Sequence, residues 1–301
     1  MKLKDAEKIL AQPTGQHLDQ IYIPSLGREV LFHPLTTADA KTLTRMNFID
    51  DFDLNVEGLK LGLFDKLCTE DLSDTAVKNE DGSILYPAIS ASTITQIDYL
   101  SFLIGIRRML DNDITYTFTC HKNNCGTEFE HIVKLDEEFD DLIYEFKRQT
   151  DIIERIDDLT GNIYKFELTN FTMSDYLYFR YFMQKLEEID KESPEVTFES
   201  KFVKPILYVK NIWLNDEIIE DWPELAIPDK LSFWNKLPPA LTINSMRKNK
   251  KTENDMTVYS YVVQHFPEER LYDRVNNMIV TCPKCGAVYG GAFSLDSFFT
   301  F

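Results

Sequence analysis

Apolar and polar residues alternate on both sides of Pro24-Ser25-Leu26-Gly27, with Ile21 and Ile23 before the turn and Val30 and Phe32 after it. A period of two across a Pro/Gly turn predicts a β-hairpin. Thr37 and Asp39 then stand where a helix should start, and a helix is predicted over residues 38–48. The same plan returns around Gly161: alternation from Glu154 to Leu168, then Thr172, Ser174 and Asp175 ahead of a helix predicted over 174–188. That helix is aromatic along its length. Phe179 shares a face with Phe182 or Met183, while Tyr178 and Tyr181 fall on a neighbouring one, a pattern expected of core packing plus one contact between halves. Further helices are predicted over 54–67, 94–110, 230–237 and 240–247. Residues 205–213 read as extended, with Asn215-Asp216 turning toward Ile218 and Ile219. The expected class is α+β.

The pattern repeats most closely around two cysteine pairs, Cys120/Cys125 and Cys282/Cys285. Past the second cysteine of each, Gly126 and Gly286, Phe129 and Tyr289, Val133 and Phe293, Leu135 and Leu295, Asp136 and Asp296, and Phe139 and Phe299 fall in register without a gap. This predicts an internally duplicated unit of hairpin, helices and cysteine knuckle, occupying 1–149 and 150–301. The seam falls near Gln149, after an acidic stretch over 136–141 and a helical one over 142–148. The extra length of the second half lies in two polar, loop-like stretches, 191–200 and 247–255.

Each knuckle supplies two thiolates where tetrahedral zinc takes four. A glycine after each second cysteine lets backbone amides approach the sulfur, so Cys120, Cys125, Cys282 and Cys285 are expected to form one shared, zinc-ribbon-like structural Zn(2+) site. Closing the chain between the pairs costs about 4 to 5 kcal/mol, against roughly 10 to 16 kcal/mol of apparent zinc binding in finger peptides. A rubredoxin-like iron site, disulfides or unligated thiols are the alternatives, and His121 or His131 could replace a cysteine. His121, inside the wider loop, is expected as an exposed neighbour. A closed four-thiolate site has no open position at which to activate water. Cys68, in an apolar run, is expected as a small core residue.

Composition narrows the function. With 301 residues, 44% apolar and 27% charged, the chain can bury one large core or two ordinary ones. A net charge of −18 argues against a large nucleic-acid footprint, and the basic cluster Arg247, Lys248, Lys250 and Lys251 reads as a solvated loop. No early stretch resembles a signal peptide, and the longest apolar candidate, 94–110, carries Asp98, Arg107 and Arg108, so a soluble protein is expected. There is no phosphate-cradling glycine loop, His-Glu-x-x-His pair or Gly-x-Ser-x-Gly elbow. The acidic groups Asp50, Asp51 and Asp53, and Glu137, Glu138, Asp140 and Asp141, read as solvated faces. His17, His33 and His265 lack a sequence partner, and no enzyme is expected.

Residues 23–43, with Pro24-Ser25-Leu26-Gly27, an extended segment, then Pro34-Leu35-Thr36, resemble the opening of baseplate proteins of T-even-like tailed bacteriophages, the hub-subunit and hub-assembly group. The late knuckle Cys282/Cys285 followed by a strand and Phe298-Phe299 is similar to that group as well. The resemblance implies a virion structural component of a contractile-tail baseplate, in the hub or wedge region, whose partners are other baseplate and tail proteins; charge, the lack of a long apolar run and the lack of a catalytic motif argue against a membrane, nucleic acid or a small-molecule substrate. Phe298 and Phe301, matched by Glu138 and Asp141 in the first unit, are expected to contact such partners. An assembly factor absent from the finished virion and a zinc-ribbon nucleic-acid adaptor are the alternative readings.

Overall fold

The computed structural model describes residues 18–46, 54–82, 84–148, 150–189, 204–242, 256–276 and 278–291. Helices and strands are mixed, in an α+β arrangement. The first hairpin pairs β1 (Asp19–Ile23) with β2 (Arg28–Phe32), Ile21 opposite Val30. Gly27 closes the turn at φ 63, a left-handed conformation that glycine adopts without a Cβ clash. Ile21, Ile23, Val30 and Phe32 all point inward, as the alternation requires.

Two helices follow, α1 (Thr37–Met46) and α2 (Leu54–Leu67). Thr36 and Asp39 cap α1 reciprocally: the Asp39 amide donates to Thr36 Oγ1 (3.2 Å), and the Thr36 amide and hydroxyl donate to Asp39 Oδ2 (3.1 and 2.6 Å). A short hairpin, β3 (Val77–Lys78) with β4 (Ile84–Tyr86), precedes α3 (Gln96–Arg108). Thr95 and Asp98 form a capping box there, and fully buried Asp98 also accepts the Ser25 amide at 2.7 Å and its hydroxyl at 2.5 Å. The turn between β1 and β2 is thus pinned to the start of α3.

After β5 (Asp113–Thr119) and β6 (Glu128–Lys134), helix α4 (Leu135–Glu145) begins at once. The helix was expected only from residue 142. Asp136, Glu137 and Glu138 instead occupy its first turn, where carboxylates oppose the positive end of the helix dipole, and Leu135, Phe139, Leu142 and Ile143 make one buried face. These acids are not simply a solvated face: Asp140 pairs with Arg108, Glu137 with Lys134, and Asp141 with Arg274. Asp50, Asp51 and Asp53 lie outside the described residues.

The hairpin predicted around Gly161, β7 (Thr150–Ile156) with β8 (Ile163–Thr169), grows into a four-stranded antiparallel sheet by adding β9 (Val209–Leu214) and β10 (Glu217–Ile218). Lys204–Tyr208 form a 3-10 turn, so the segment expected extended from Pro205 starts as a strand only at Val209; Pro205 has no amide to give to a ladder. Asn215 and Asp216, both at positive φ, make the expected tight turn. Helix α5 (Met173–Ile189) is capped by Thr172 and Asp175 in the same geometry as α1. Then come α6 (Ile227–Trp234), α7 (Pro239–Thr242), α8 (Val258–His265) and α9 (Pro267–Asn276), the last leading directly to β11 (Met278–Thr281) and β12 (Val288–Gly291). α6 starts ahead of the predicted residue 230 because Pro228 presets the helical φ of its first turn. The hairpin β3–β4 and helices α8 and α9 were not anticipated from sequence.

Two apolar clusters form the interior. One gathers β1, β2, α2, α3 and α4; the other lies under the four-stranded sheet around Phe166, Tyr208, Trp222 and Phe266. Helix α5 joins them, as its aromatic pattern suggested: Met173 and Leu177 enter the first cluster, Phe179 the second, and half-buried Tyr176 touches both. Tyr178 and Tyr181 are exposed. Met278 and Val280 of β11 pack into the first cluster. Among the described residues no helix is long and apolar enough to cross a membrane.

Candidate metal centre

Both cysteine pairs sit in the connecting loops, at the turn ends, of two-stranded antiparallel hairpins, β5–β6 and β11–β12. Their backbones close alike. The Cys120 amide donates to Thr127 O at 2.8 Å and the Gly126 amide to Cys120 O at 2.9 Å; in the second, the Cys282 amide donates to Ala287 O at 2.8 Å and the Gly286 amide to Cys282 O at 3.0 Å. Gly126 and Gly286 sit at φ 61 and 69, the left-handed turn that lets the chain double back on the sulfur. The wider first loop reaches this closure through a 3-10 turn over Lys122–Asn124, with Asn124 at φ 56.

The four sulfurs of Cys120, Cys125, Cys282 and Cys285 all lie within 4.8 Å of one another. Across the hairpins, Cys120 is 3.5 Å from Cys285 and Cys125 is 4.0 Å from Cys282. A tetrahedral four-sulfur zinc site with bonds of about 2.3 Å holds its sulfurs about 3.8 Å apart, so the donor set fits a metal of that size with sub-ångström adjustment. Cys120 and Cys282 are buried, Cys125 is half-buried and Cys285 is exposed at the rim. These four residues could hold a metal ion, as a structural site would.

Electrostatics favour a cation. A hydrogen bond with the Thr127 hydroxyl, 3.1 Å from the sulfur, brings the Cys125 thiol down to about 6. The Tyr289 hydroxyl likewise lowers Cys120. At Cys285 a backbone hydrogen bond from Ala287 lowers the value, but the neighbouring Cys120 thiol, burial and the other two sulfurs outweigh it and push the group up to about 12. The last thiol in the cluster keeps its proton unless a positive ion compensates, so metal uptake displaces protons.

Sequence reasoning named all four cysteines, and the structure brings them together. It places His121 exposed beside the site and pairs His131 with Tyr116 along β5–β6. Cys68 is half-buried rather than buried, and desolvation raises its thiol. Two neighbours of the sulfurs escaped the sequence reading: Thr127, and Tyr289, whose position matched Phe129 only as an aromatic. The hydroxyl that distinguishes Tyr289 from Phe129 was the available signal. Phe298 and Phe301, the expected partner contacts, lie outside the described residues, as do Phe293 and Phe299.

Elsewhere, a cleft of about 200 Å³ opens among β1, α3 and α4, and its Arg108 guanidinium is engaged by Asp140. No protein-family model, curated protein or solved structure matches this chain. What fold and site define is therefore a class: an α+β protein with four converging cysteines able to bind a metal.

Proposed function

We propose that this chain is a structural, non-enzymatic component of a bacteriophage contractile-tail baseplate, in its hub or wedge region, held together by one zinc ion at Cys120, Cys125, Cys282 and Cys285. The observation that carries the structural part is the convergence of these four sulfurs from two hairpins far apart in the chain. A four-thiolate shell has no open position for substrate or water, and its effect is to tie distant segments. Zinc suits the donor set because it accepts four thiolates tetrahedrally and needs no redox partner. The matching closures of the two knuckles, and the shared capping by Thr36/Asp39 and Thr172/Asp175, support descent from a duplicated unit spanning 1–149 and 150–301.

The baseplate assignment rests on the resemblance of residues 23–43 and of the late knuckle and aromatic ending. The Ser25 contacts to Asp98 supply a physical reason for a Pro-Ser-x-Gly turn at that place. Other baseplate proteins are the partners on this reading, with Phe298 and Phe301 as contact residues. Elemental analysis of the purified chain should find one zinc, lost in both Cys120→Ser and Cys285→Ser; two metals per chain, or retention in either variant, rules out the shared site. Mass spectrometry of purified virions should find the chain in the tail fraction, whereas its presence only in assembly intermediates would make it an assembly factor.

A further inference from the structure

One oxygen atom outside the four sulfurs joins the two cysteine hairpins. The Tyr289 hydroxyl, carried on β12, lies 2.9 Å from Cys120 Sγ of the other hairpin and donates to it. The same oxygen accepts the backbone amides of His121 at 3.1 Å and Lys122 at 3.3 Å. A phenol has one proton to give and two lone pairs to fill, so all three of its hydrogen-bonding positions are used at this place.

The surroundings explain why an oxygen is needed on this side. The wider loop between Cys120 and Cys125 turns the amides of His121 and Lys122 toward β12. In the compact second knuckle the residue following the first cysteine is Pro283, which has no amide. The partner of Tyr289 in the first hairpin is Phe129, which stacks on Phe118 within its own hairpin with ring centroids 5.8 Å apart and carries no hydroxyl. The hydroxyl therefore acts in one direction only, from the second hairpin onto the first. Hydrogen bonds to ligating atoms orient them and adjust their basicity, and their removal commonly weakens metal binding by roughly 10–100-fold.

We propose that Tyr289 is a positioning residue of the metal site: its hydroxyl fixes the Cys120 sulfur and the loop behind it from across the hairpin interface, setting how tightly the four cysteines hold their ion. This rests on the reading of those cysteines as a metal site. It makes the site a joint product of both hairpins beyond the ligands themselves, since the second hairpin supplies two sulfurs and also orders the loop that carries the first two.

The test uses the full-length chain and its Tyr289→Phe variant, which deletes one oxygen and keeps the ring. Zinc affinity is measured by competition with a chromophoric chelator, and both proteins are also loaded with cobalt(II) to read the sulfur-to-metal charge-transfer bands. The expected result is unchanged stoichiometry, affinity weaker by roughly 10–100-fold, and a shift of those bands. Melting the metal-stripped forms separates positioning from packing, because the variant should lose more in the loaded protein than in the stripped one. Unchanged affinity with superimposable cobalt spectra overturns the proposal, as does an equal loss of stability in both forms without a change in affinity. If the parent chain itself takes up no metal, the four-cysteine reading fails first, and that outcome is visible before the variant is compared.

Discussion

Glu268 stands in the first turn of α9, 1% exposed, with Asn170 Nδ2 donating to its Oε1 at 2.9 Å. Its neighbour Glu269 accepts from the buried Tyr208 hydroxyl at 2.8 Å and pairs with Lys204 at 2.5 Å, which leaves that cation shared rather than dedicated to Glu268. Desolvation is the main cause that raises Glu268 from 4.5 to about 7, with Glu269 adding to it and Asn170 and Lys204 opposing it. The folded chain thus holds a proton that the unfolded chain releases. The group's contribution is complete below pH 4.5 and is lost as pH rises to about 7. A shift of this size corresponds to roughly 3 kcal/mol. Glu268→Gln keeps the shape and an acceptor for Asn170 without the charge. Relative to the parent, it should gain stability of that order between pH 5 and pH 8 in urea unfolding, since other titrations cancel in the difference. A difference independent of pH would show that Glu268 is not the protonated group.

At the scale of elements, the first core depends on how closely α3 approaches β1. A Cβ built on Gly105 would stand 2.6 to 2.8 Å from three side-chain carbons of Ile21, far inside van der Waals contact. Alanine should favour the helix by about 1 kcal/mol, yet the clash opposes it with a cost of about 1–3 kcal/mol. Gly105→Ala is therefore expected to destabilise on balance. Ile21→Ala removes the obstructing carbons, and the double variant should be more stable than the sum of the single losses predicts; strict additivity in denaturant titrations would count against the contact. Helix α4 shows another consequence of packing between elements. Its Asp141 receives Arg274 of α9 at 2.7 and 3.1 Å, and the same guanidinium donates to Glu138 O at 2.5 Å. Side chains this exposed add little stability; burial of Leu271, Met278 and Val280 in the first cluster is what seats α9 and β11 there.

Across the whole molecule, the second cysteine hairpin belongs by its packing to the first apolar cluster, through Met278 and Val280, while the four-stranded sheet forms a cluster of its own. On the proposed reading of the four cysteines as a zinc site, chelating the metal should thus loosen the molecule unevenly. Hydrogen exchange is expected to speed up in β5, β6, β11 and β12 and to remain slow in β8 and β9; uniform acceleration across the sheet would contradict this division. The melting temperature should also climb with free zinc, because an ion present at about a thousand times its dissociation constant stabilises the folded state by about 4 kcal/mol.

What could be read along the chain was local. The two hairpins, the helices that follow them, the Thr/Asp caps and the glycine closures of both knuckles depend on residues within a few positions of one another, and sequence states those relations directly. That the two cysteine pairs should converge was also legible, since neither pair alone completes a tetrahedral four-thiolate shell. The start of α4 is hidden in the sequence because Asp136, Glu137, Glu138, Asp140 and Asp141 outnumber Leu135 and Phe139 over its first two turns, and α8 and α9 were missed altogether. Only the tertiary structure decided that Cys120 faces Cys285 and Cys125 faces Cys282, that Tyr289 reaches the sulfur of the other hairpin, that Glu268 is sealed from water, and that β11 lies in the first core. Each of these joins residues far apart in sequence, and such contacts are set by how whole elements pack, which no local pattern of residues encodes.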